Sequence, residues 1–598
     1  TSDKHSVHQR DTVTNTFLII CLVGISLGVI IPETIKAYNR NSASKDLYRE
    51  RKTYWVYSYD RDDTAQDENG FLRHVHGVLH RVGYRKTTNE TPWTLLWAHK
   101  YPFVGLNLRN LSPDQLVNHF PATGFISVKA TLATTPSKYI PKAFKFPKDK
   151  QSFLNYAKSN ANTMFLEKNH DHRGVVLKNV SEIDLGSKTK FVQEFLQNPF
   201  LVDGHKFDIG VYVVVTSVNP LRVYWYKGDA IFRYCPAKYY PFDSKNLDKY
   251  VVADDYLPTW EVPSMALPYT ALGNSMKEAF DSYARGKDPA PMWEDIQKAI
   301  AEVFIMKEHH IIDALKNYTS KNNFFELFRF DFIVDENLKV YLLEANMSPN
   351  LNSAHFKQNQ LLYEQVLYNT LSLTGVTRRA NVQGPASAMI ATMKNIAVYS
   401  DECSTTCKDN CDVVDLCRLC KPCLEASLKQ DLINAYTEHM DRADCRRLLP
   451  EAMLEGLNAN PWVRPYKMLR NNLHLISPPL TETLQTDLIG SGVFPESRQR
   501  YPAQVELNLR DEHIGGHFPA VPGRVWGRGV LSNNTTYDLY FGHLLLLNIV
   551  LQKINNSAFF CLQDTKVLDA ELKSLTIRNK LLHLWYQGKC NQDPTWCT

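Results

Sequence analysis

The sequence predicts a mixed α/β body of α+β character, carried behind one membrane-spanning helix and followed by a separate, mostly helical tail that contains most of the cysteines. Three observations predict it. From Thr53 to about Val376, apolar strand-like runs alternate with runs at helical spacing. A stretch of 21 uncharged residues, Thr12 to Pro32, stands ahead of that body. Ten of the 12 cysteines fall between Cys403 and Cys597. The 598 residues are 44% hydrophobic, 22% charged and 11% aromatic, which excludes a disordered chain, a collagen-like fibre and a polytopic membrane protein. The net charge of +5 is too small to mark a nucleic-acid partner.

In chain order, residues 1–11 form a short tail and 12–35 the anchor. A membrane helix needs about 20 largely apolar residues, and Phe17–Ile31 supplies the centre of one. Ile30-Ile31-Pro32-Glu33 is a poor cleavage site, so an uncleaved anchor is favoured over a signal peptide. Residues 36–53 read as a juxtamembrane linker. The body at 54–376 has strands at Ile209–Thr216, Leu221–Lys227, Phe325–Val334 and Leu338–Glu344. One helix runs from about Pro291, with Trp293, Ile296, Ile300, Val303 and Phe304 at helical spacing; another spans Asn359 to Leu373. Met292, Trp293 and Phe304 read as core, and His309-His310 as a solvated face, since adjacent residues on a helix point about 100° apart. Residues 377–400 are a linker marked by Gly384 and Pro385, and 401–598 is the tail.

The sharpest local signal is Phe325-Glu-Leu-Phe-Arg-Phe-Asp-Phe-Ile-Val-Asp-Glu-Asn-Leu-Lys-Val-Tyr-Leu-Leu-Glu-Ala-Asn-Met-Ser-Pro349. Two apolar strands flank the turn-forming Asp335-Glu336-Asn337. With Glu336-Asn337 as the two turn residues, Asp331 pairs with Leu342. Side chains alternate along a strand, so Asp331 shares a face with Glu344 and Asn346. Two carboxylates and an amide on an otherwise apolar hairpin suit Mg²⁺, completed by nucleotide phosphates.

With that hairpin in place, the chain resembles the tubulin tyrosine ligase-like family over about residues 54–376. Trp93-Thr-Leu-Leu-Trp97, Val117-Asn-His-Phe-Pro121 and Tyr139-Ile-Pro-Lys-Ala-Phe-Lys-Phe-Pro147 match in order. The fullest match is Val192-Gln-Glu-Phe-Leu-Gln-Asn-Pro-Phe-Leu-Val-Asp-Gly-His-Lys-Phe-Asp-Ile-Gly-Val-Tyr-Val213. The resemblance implies an ATP-grasp fold with N-terminal, central and C-terminal subdomains. It also implies an ATP- and Mg²⁺-dependent ligase that turns an acceptor carboxylate into an acyl phosphate, which an amino acid's amine then displaces. Carried over by position, Lys168 approaches the α- and β-phosphates, with Arg173 in the loop behind it. Gln193 and the backbone around Glu194 and Phe195 border the adenine. Lys206 and Asp208 line the nucleotide and acceptor site, Arg233 adds a cation, and Lys129 closes the site. Asp331, Glu344 and Asn346 align with the metal ligands.

The sequence departs from the family pattern at three places. Where the family has Arg two positions after the Asp of Lys-Phe-Asp, this chain has Gly210, so a bidentate guanidinium is missing. The family's His-Leu-Thr-Asn-Tyr-Ser block stands here as Val252-Ala-Asp-Asp-Tyr-Leu257, and Asp254 and Asp255 should repel an anionic substrate. The loop Lys168–Leu177 keeps Arg173-Gly174 but lacks a further glycine. The nucleotide half of the site reads as retained and the acceptor half as altered.

The main expectation is a membrane-anchored ligase that adds free glutamate to the acidic tails of tubulin. Lys142, Lys145, Lys148, Lys150, Lys188 and Lys190 are candidates for the basic groove such tails would need. The alternatives are a pseudoenzyme that binds ATP and an acidic partner, and a lumenal ligase-like protein. Lys and Arg are more numerous after the span (Lys36, Arg40, Lys45, Arg49, Arg51, Lys52) than before it (Lys4, Arg10), which favours a cytosolic body. The cysteines oppose that, because disulfides persist in oxidising compartments. Cys403, Cys407, Cys411, Cys417, Cys420 and Cys423 suit either a disulfide-laced helical pair or zinc ligation.

Overall fold

The computed structural model describes residues 52–58, 67–89, 91–169, 175–187, 190–380, 392–451 and 577–598. The expected tail at 1–11, the anchor at 12–35 and most of the linker at 36–53 lie outside these residues. Among the described residues no helix is long and apolar enough to cross a membrane.

Three sheets build the body. The first is parallel, in the order Arg85–Thr87, Thr53–Tyr57, Leu95–Ala98, Leu116–Val117. Parallel neighbours need a crossover, and the helix Arg73–Arg81 supplies one, burying Val75, Val78 and Leu79. The second is antiparallel, in the order Ala143–Lys145, Lys190–Glu194, Met164–Asn169, Val176–Asn179. It closes over a small aromatic core of Phe144, Phe146, Phe153 and Phe165 with the helix Lys150–Ser159.

The third sheet has seven strands and is organised by Phe207–Val218. This strand is rich in valine and almost wholly buried, as expected of a central strand covered on both faces. Along one edge it pairs with Ile231–Tyr234 and Leu221–Tyr226, and along the other with Glu326–Val334. The helix Ala290–Leu315 covers it with Ile296, Ile300, Val303 and Phe304, the last lying against Phe328 and Phe330 at 5.8 and 5.7 Å. Met292, Trp293 and Phe304 are core, as their spacing indicated. The helix Asn359–Leu373 has the expected bounds.

Two local expectations are corrected. His309 and His310 are not on a solvated face: His310 stacks on Phe125 at 3.8 Å, and burial pushes the two imidazoles down to about 4 and about 2. The hairpin register also differs from the reading. Val334 pairs with Val340 across residues 335–339, and Phe332 pairs with Leu342. A bulge between Asp331 and Phe332 then sets Asp331 directly opposite Glu344, not Leu342. An extra residue on one strand re-aims a side chain, and here it brings the two carboxylates face to face.

The tail has its own core, in which the helices Ala426–Asp441 and 577–592 pack Leu428, Leu432, Leu582 and Trp585 together. It is not separate from the body, however. Cys445–Leu449 pairs with Leu221–Tyr226 as the edge strand of the large sheet, covering what would otherwise be an open row of backbone groups. The cysteine cluster is disulfide-bonded as Cys403–Cys420, Cys407–Cys417 and Cys411–Cys423, with Cys590–Cys597 beyond it. Zinc ligation by that cluster is therefore excluded. The bonded segment is a short helix, Ser400–Ser404, and a 3₁₀ turn, Asp415–Leu419, so it is no helical pair.

Candidate active site

The strands around Phe207–Val218 place charge where an apolar sheet would not otherwise hold it. Asp208 is near the start of that strand, Arg233 is its register partner on Ile231–Tyr234, and Asp331 is across the other edge. Arg233 grips Asp208 with Nε and Nη2 at 2.9 and 2.8 Å, and Nη2 also donates to Asp331 at 3.0 Å. Burial drives Asp208 up to about 6 despite Arg233, and the neighbouring Asp331 adds to the rise.

On the hairpin, Asn346 donates its amide to Asp331 at 3.0 Å and to Glu344 at 3.2 Å. Lys129, at the start of the helix Lys129–Ala133, reaches Glu344 at 3.3 Å. Lys129 and Arg329 hold Glu344 well below the usual carboxylate range, outweighing its burial. The structure thus brings Asp331, Glu344 and Asn346 together, with the amide nitrogen of Asn346 turned toward both carboxylates. A half-turn of that amide would present its oxygen.

The smaller sheet contributes the other wall. Lys168 donates to Gln193 Oε1 at 2.8 Å, and Gln193 donates onward to the carbonyl of Pro141 at 3.4 Å. Alternation along the strand sends the Glu194 side chain the other way, where it accepts from Tyr156 at 2.9 Å. The backbone N–H of Glu194 bonds to Lys142 and that of Phe195 to Met164, so both are already engaged in the sheet. Lys206 donates to the carbonyl of Tyr250 at 3.1 Å and lies 4.8 Å above the Phe195 ring. Arg173 lies outside the described residues.

Lys168 and Lys206 differ from the other cations because a neutral oxygen accepts from each ammonium. Burial pushes both down to about 8, and Lys129 and Lys206 lower Lys168 further against the pull of Glu344. Five cations (Lys129, Lys168, Lys206, Arg233, Arg329) thus face three carboxylates (Asp208, Asp331, Glu344). A surplus of buried positive charge is costly unless an anion completes it. The set suits a polyphosphate with a divalent cation: oxygen donors on the hairpin, ammonium groups on the opposite wall. Among the described residues no group of three or more His, Cys, Asp or Glu could hold a metal ion. That leaves room for Mg²⁺ bound by one or two carboxylates and substrate phosphates.

A family model for the tubulin-tyrosine ligase family matches residues 107–383. The probable tubulin polyglutamylase ttll-15 of Caenorhabditis elegans is 39% identical over 404 residues, covering 63% of this chain and 78% of the relative. The chain belongs to the tubulin-tyrosine ligase family. It is accordingly an ATP-dependent amino-acid ligase by family. Two further relatives are the tubulin polyglutamylases TTLL6 of Mus musculus and TTLL7 of Homo sapiens, 28% and 27% identical. Each match covers 50% of this chain but only 38% and 37% of the relative.

Two features of the site escaped the sequence reading. His119, in the Val117–Pro121 block, meets Glu326 at 2.9 Å, and Glu326 also accepts the backbone N–H of Phe120 at 2.8 Å. This buried pair ties the parallel sheet to the hairpin strand. The second is Arg329, which donates to Asp331 through Nε at 2.7 Å and Nη2 at 2.8 Å. Its signal was present: an arginine two residues before Asp331 in an apolar strand must share that aspartate's face. Asp254 and Asp255 lie exposed in a turn, and among the described residues no ion pair links them to the site's cations. Of the proposed groove, Lys142 and Lys150 are exposed, Lys190 pairs with Glu167 at 2.8 Å, and Lys188 lies outside the described residues.

Proposed function

We propose that this ligase adds glutamate to carboxylates of tubulin tails, using ATP and Mg²⁺ in an ATP-grasp arrangement, and that the segment at 12–35 anchors it to a membrane. The observation that carries the nucleotide half is the uneven charge of the site, with Lys168 and Lys206 held by neutral acceptors opposite a two-carboxylate hairpin. Asp331, Glu344 and Asn346 would hold the metal; Lys168, Lys206 and Gln193 would hold the nucleotide. Bound Mg²⁺ would offset charge on the phosphates as the γ-phosphoryl group passes to the acceptor carboxylate, giving an acyl phosphate. Arg233 keeps Asp208 in place beside the acceptor, and Lys129 closes the cluster from the start of the helix Lys129–Ala133. The choice of glutamate and tubulin rests on the names of the relatives.

The test is incorporation of labelled glutamate into microtubules by the purified full chain with Mg²⁺ and ATP. Incorporation that disappears in Glu344→Gln supports the proposal. No incorporation, with Mg²⁺-dependent ATP binding intact, would turn the search to other acceptors and amino acids.

A second reading concerns the compartment. The flanking charges support a cytosolic body, whereas the four disulfides of the tail support a body in an oxidising compartment, with an acceptor protein there. Thiol alkylation of the chain as it leaves the cell separates them. Eight protected cysteines in those four pairs support the oxidising compartment; alkylation of the cluster at 403–423 supports the cytosol.

A further inference from the structure

Gly210 is the residue at which the sequence departs most sharply from its family, because no side chain there can supply a cation. In the sheet it pairs with Asp331 on one side and Ile231 on the other. A Cβ built on it would lie 2.8 Å from Arg329 Cδ, 3.1 Å from Asp331 Oδ1 and 2.5 Å from Ile231 Cγ2. The space above residue 210 is therefore already filled, by the γ-methyl of Ile231 and by the stem of an arginine. That arginine ends on Asp331 in a two-point grip. It is buried.

We propose that Arg329 is the guanidinium the site lacks at position 210, delivered from the neighbouring strand Glu326–Val334, and that residue 210 is glycine because the Arg329 stem crosses over it. This rests on the ATP-dependent ligase reading and identifies a further residue of the same site. Two of the five N–H donors of Arg329 are engaged by Asp331, which leaves three for an anionic oxygen of the nucleotide or acceptor. On this assignment the departure at Gly210 is an exchange of position and not a loss of charge, and it ceases to support the pseudoenzyme reading.

The exchange can be made directly. Arg329→Gln in the full chain should weaken binding of a fluorescent ATP analogue with Mg²⁺ by tenfold or more. It should also lower any ligase turnover by on the order of 10²–10³, as loss of one oriented donor does. Arg329→Lys should fall between, having charge without the planar fork. Gly210→Arg alone should also weaken binding, since two arginines cannot share the space. Gly210→Arg with Arg329→Gly, made on Ile231→Ala to clear the γ-methyl, should return affinity to within about threefold of Ile231→Ala itself, on the scale of the effects above. Adenosine, which has no phosphate, should bind all folded variants alike.

Wild-type affinity in Arg329→Gln would overturn the assignment. So would equal losses for adenosine and ATP, which mark damage to the fold, or a folded exchange variant no better than Arg329→Gln. A wild-type chain that binds Mg·ATP but does not transfer glutamate to tubulin would remove the proposed acceptor and leave the Arg329 test standing. A wild-type chain that binds no Mg·ATP would remove both.

Discussion

The two ends of the strand Phe207–Val218 both carry buried charge, and they use it differently. At the start, Asp208 joins Asp331, Glu344 and five cations, and two of those cations, Lys168 and Lys206, are held by an amide oxygen and a backbone carbonyl. At the far end, Thr216 donates to Glu438 at 2.9 Å, as do Arg222 at 2.9 Å and Tyr224 at 3.0 Å. Nearby, Lys321 meets Asp431 at 3.0 Å. The far end is a seam in which each cation reaches a carboxylate of the tail helix Ala426–Asp441: Arg222 on Glu438, and Lys321 and, at 3.9 Å, Arg578 on Asp431. The near end has more cations than its own carboxylates can serve. A network whose cations all reach carboxylates holds two pieces of chain together, whereas one that leaves cations on neutral oxygens is built to be completed by something else.

The largest effect should come from breaking the end whose cations are all paired. Glu438→Ala leaves Arg222 buried without its carboxylate, which should cost about 3–5 kcal/mol in a denaturant titration. Mg·ATP affinity of the molecules that remain folded should not change. A parallel loss of affinity would mean that the two ends are coupled through the strand. The next effect comes from the near end, where Glu344→Gln removes one proposed metal carboxylate. Turnover should fall by on the order of 10²–10³, the range for losing one group that stabilises developing charge. The thermal midpoint should also fall, because Lys129 and Arg329 hold the Glu344 carboxylate well below its ordinary range and that stabilisation goes with the charge, but solvent screening of this partly exposed pair keeps the fall below that of Glu438→Ala. Unfolding of Glu344→Gln would instead make the hairpin cluster structural.

This contrast also divides what the sequence disclosed from what it did not. The near end was legible because chemistry and pattern coincide there. Asp331, Glu344 and Asn346 stand at alternating positions in apolar strands, and the Lys-Phe-Asp block sits on a run of valines. What the pattern could not supply was the bulge beside Asp331, which depends on the twist of the finished sheet, so the register was misread. Arg329 was overlooked for a related reason: the family pattern directed attention to position 210, whereas space is shared across strands and not along them. At the far end almost nothing was legible. Glu438 and Asp431 look like surface charges on an amphipathic helix, and Arg222 like an ordinary strand-edge residue. They are buried by pieces of chain more than 100 residues away, the strand Cys445–Leu449 against Leu221–Tyr226 and the helix at 577–592, whose Asn579 and Arg578 reach Leu221 and Asp431.

A gentler test uses pH. Burial holds Lys168 and Lys206 at about 8, so between about 8 and their ordinary 10.5 the folded protein binds fewer protons than the unfolded chain. In that window these lysines make the free protein more stable as pH rises. Nucleotide binding has the opposite sign, because a polyphosphate favours the charged ammonium and must draw a proton to it. Mg·ATP affinity should therefore fall above about pH 8, by up to about tenfold per unit for each lysine that recharges. Calorimetry in two buffers of different ionisation heat should register proton uptake. A pH-independent affinity would mean that neither lysine touches the phosphates. Lys206→Met should remove part of the slope and leave the seam untouched.

The smallest effect is expected at Asp254-Asp255, which the sequence alone would have placed among the most damaging features of the site. Their charges repel an incoming anion only if the field reaches it through protein. Both are exposed in a turn, where water and salt screen interactions beyond about 8–10 Å. Exposed charges typically contribute about 1 kcal/mol or less, so Asp254→Asn with Asp255→Asn should change the KM for ATP or for the acceptor by less than about fivefold. The change should shrink further as salt is raised. A gain in turnover of more than about tenfold would exceed that range and mean that the turn closes over the bound acceptor, with the two aspartates acting from inside the cluster and not from its rim.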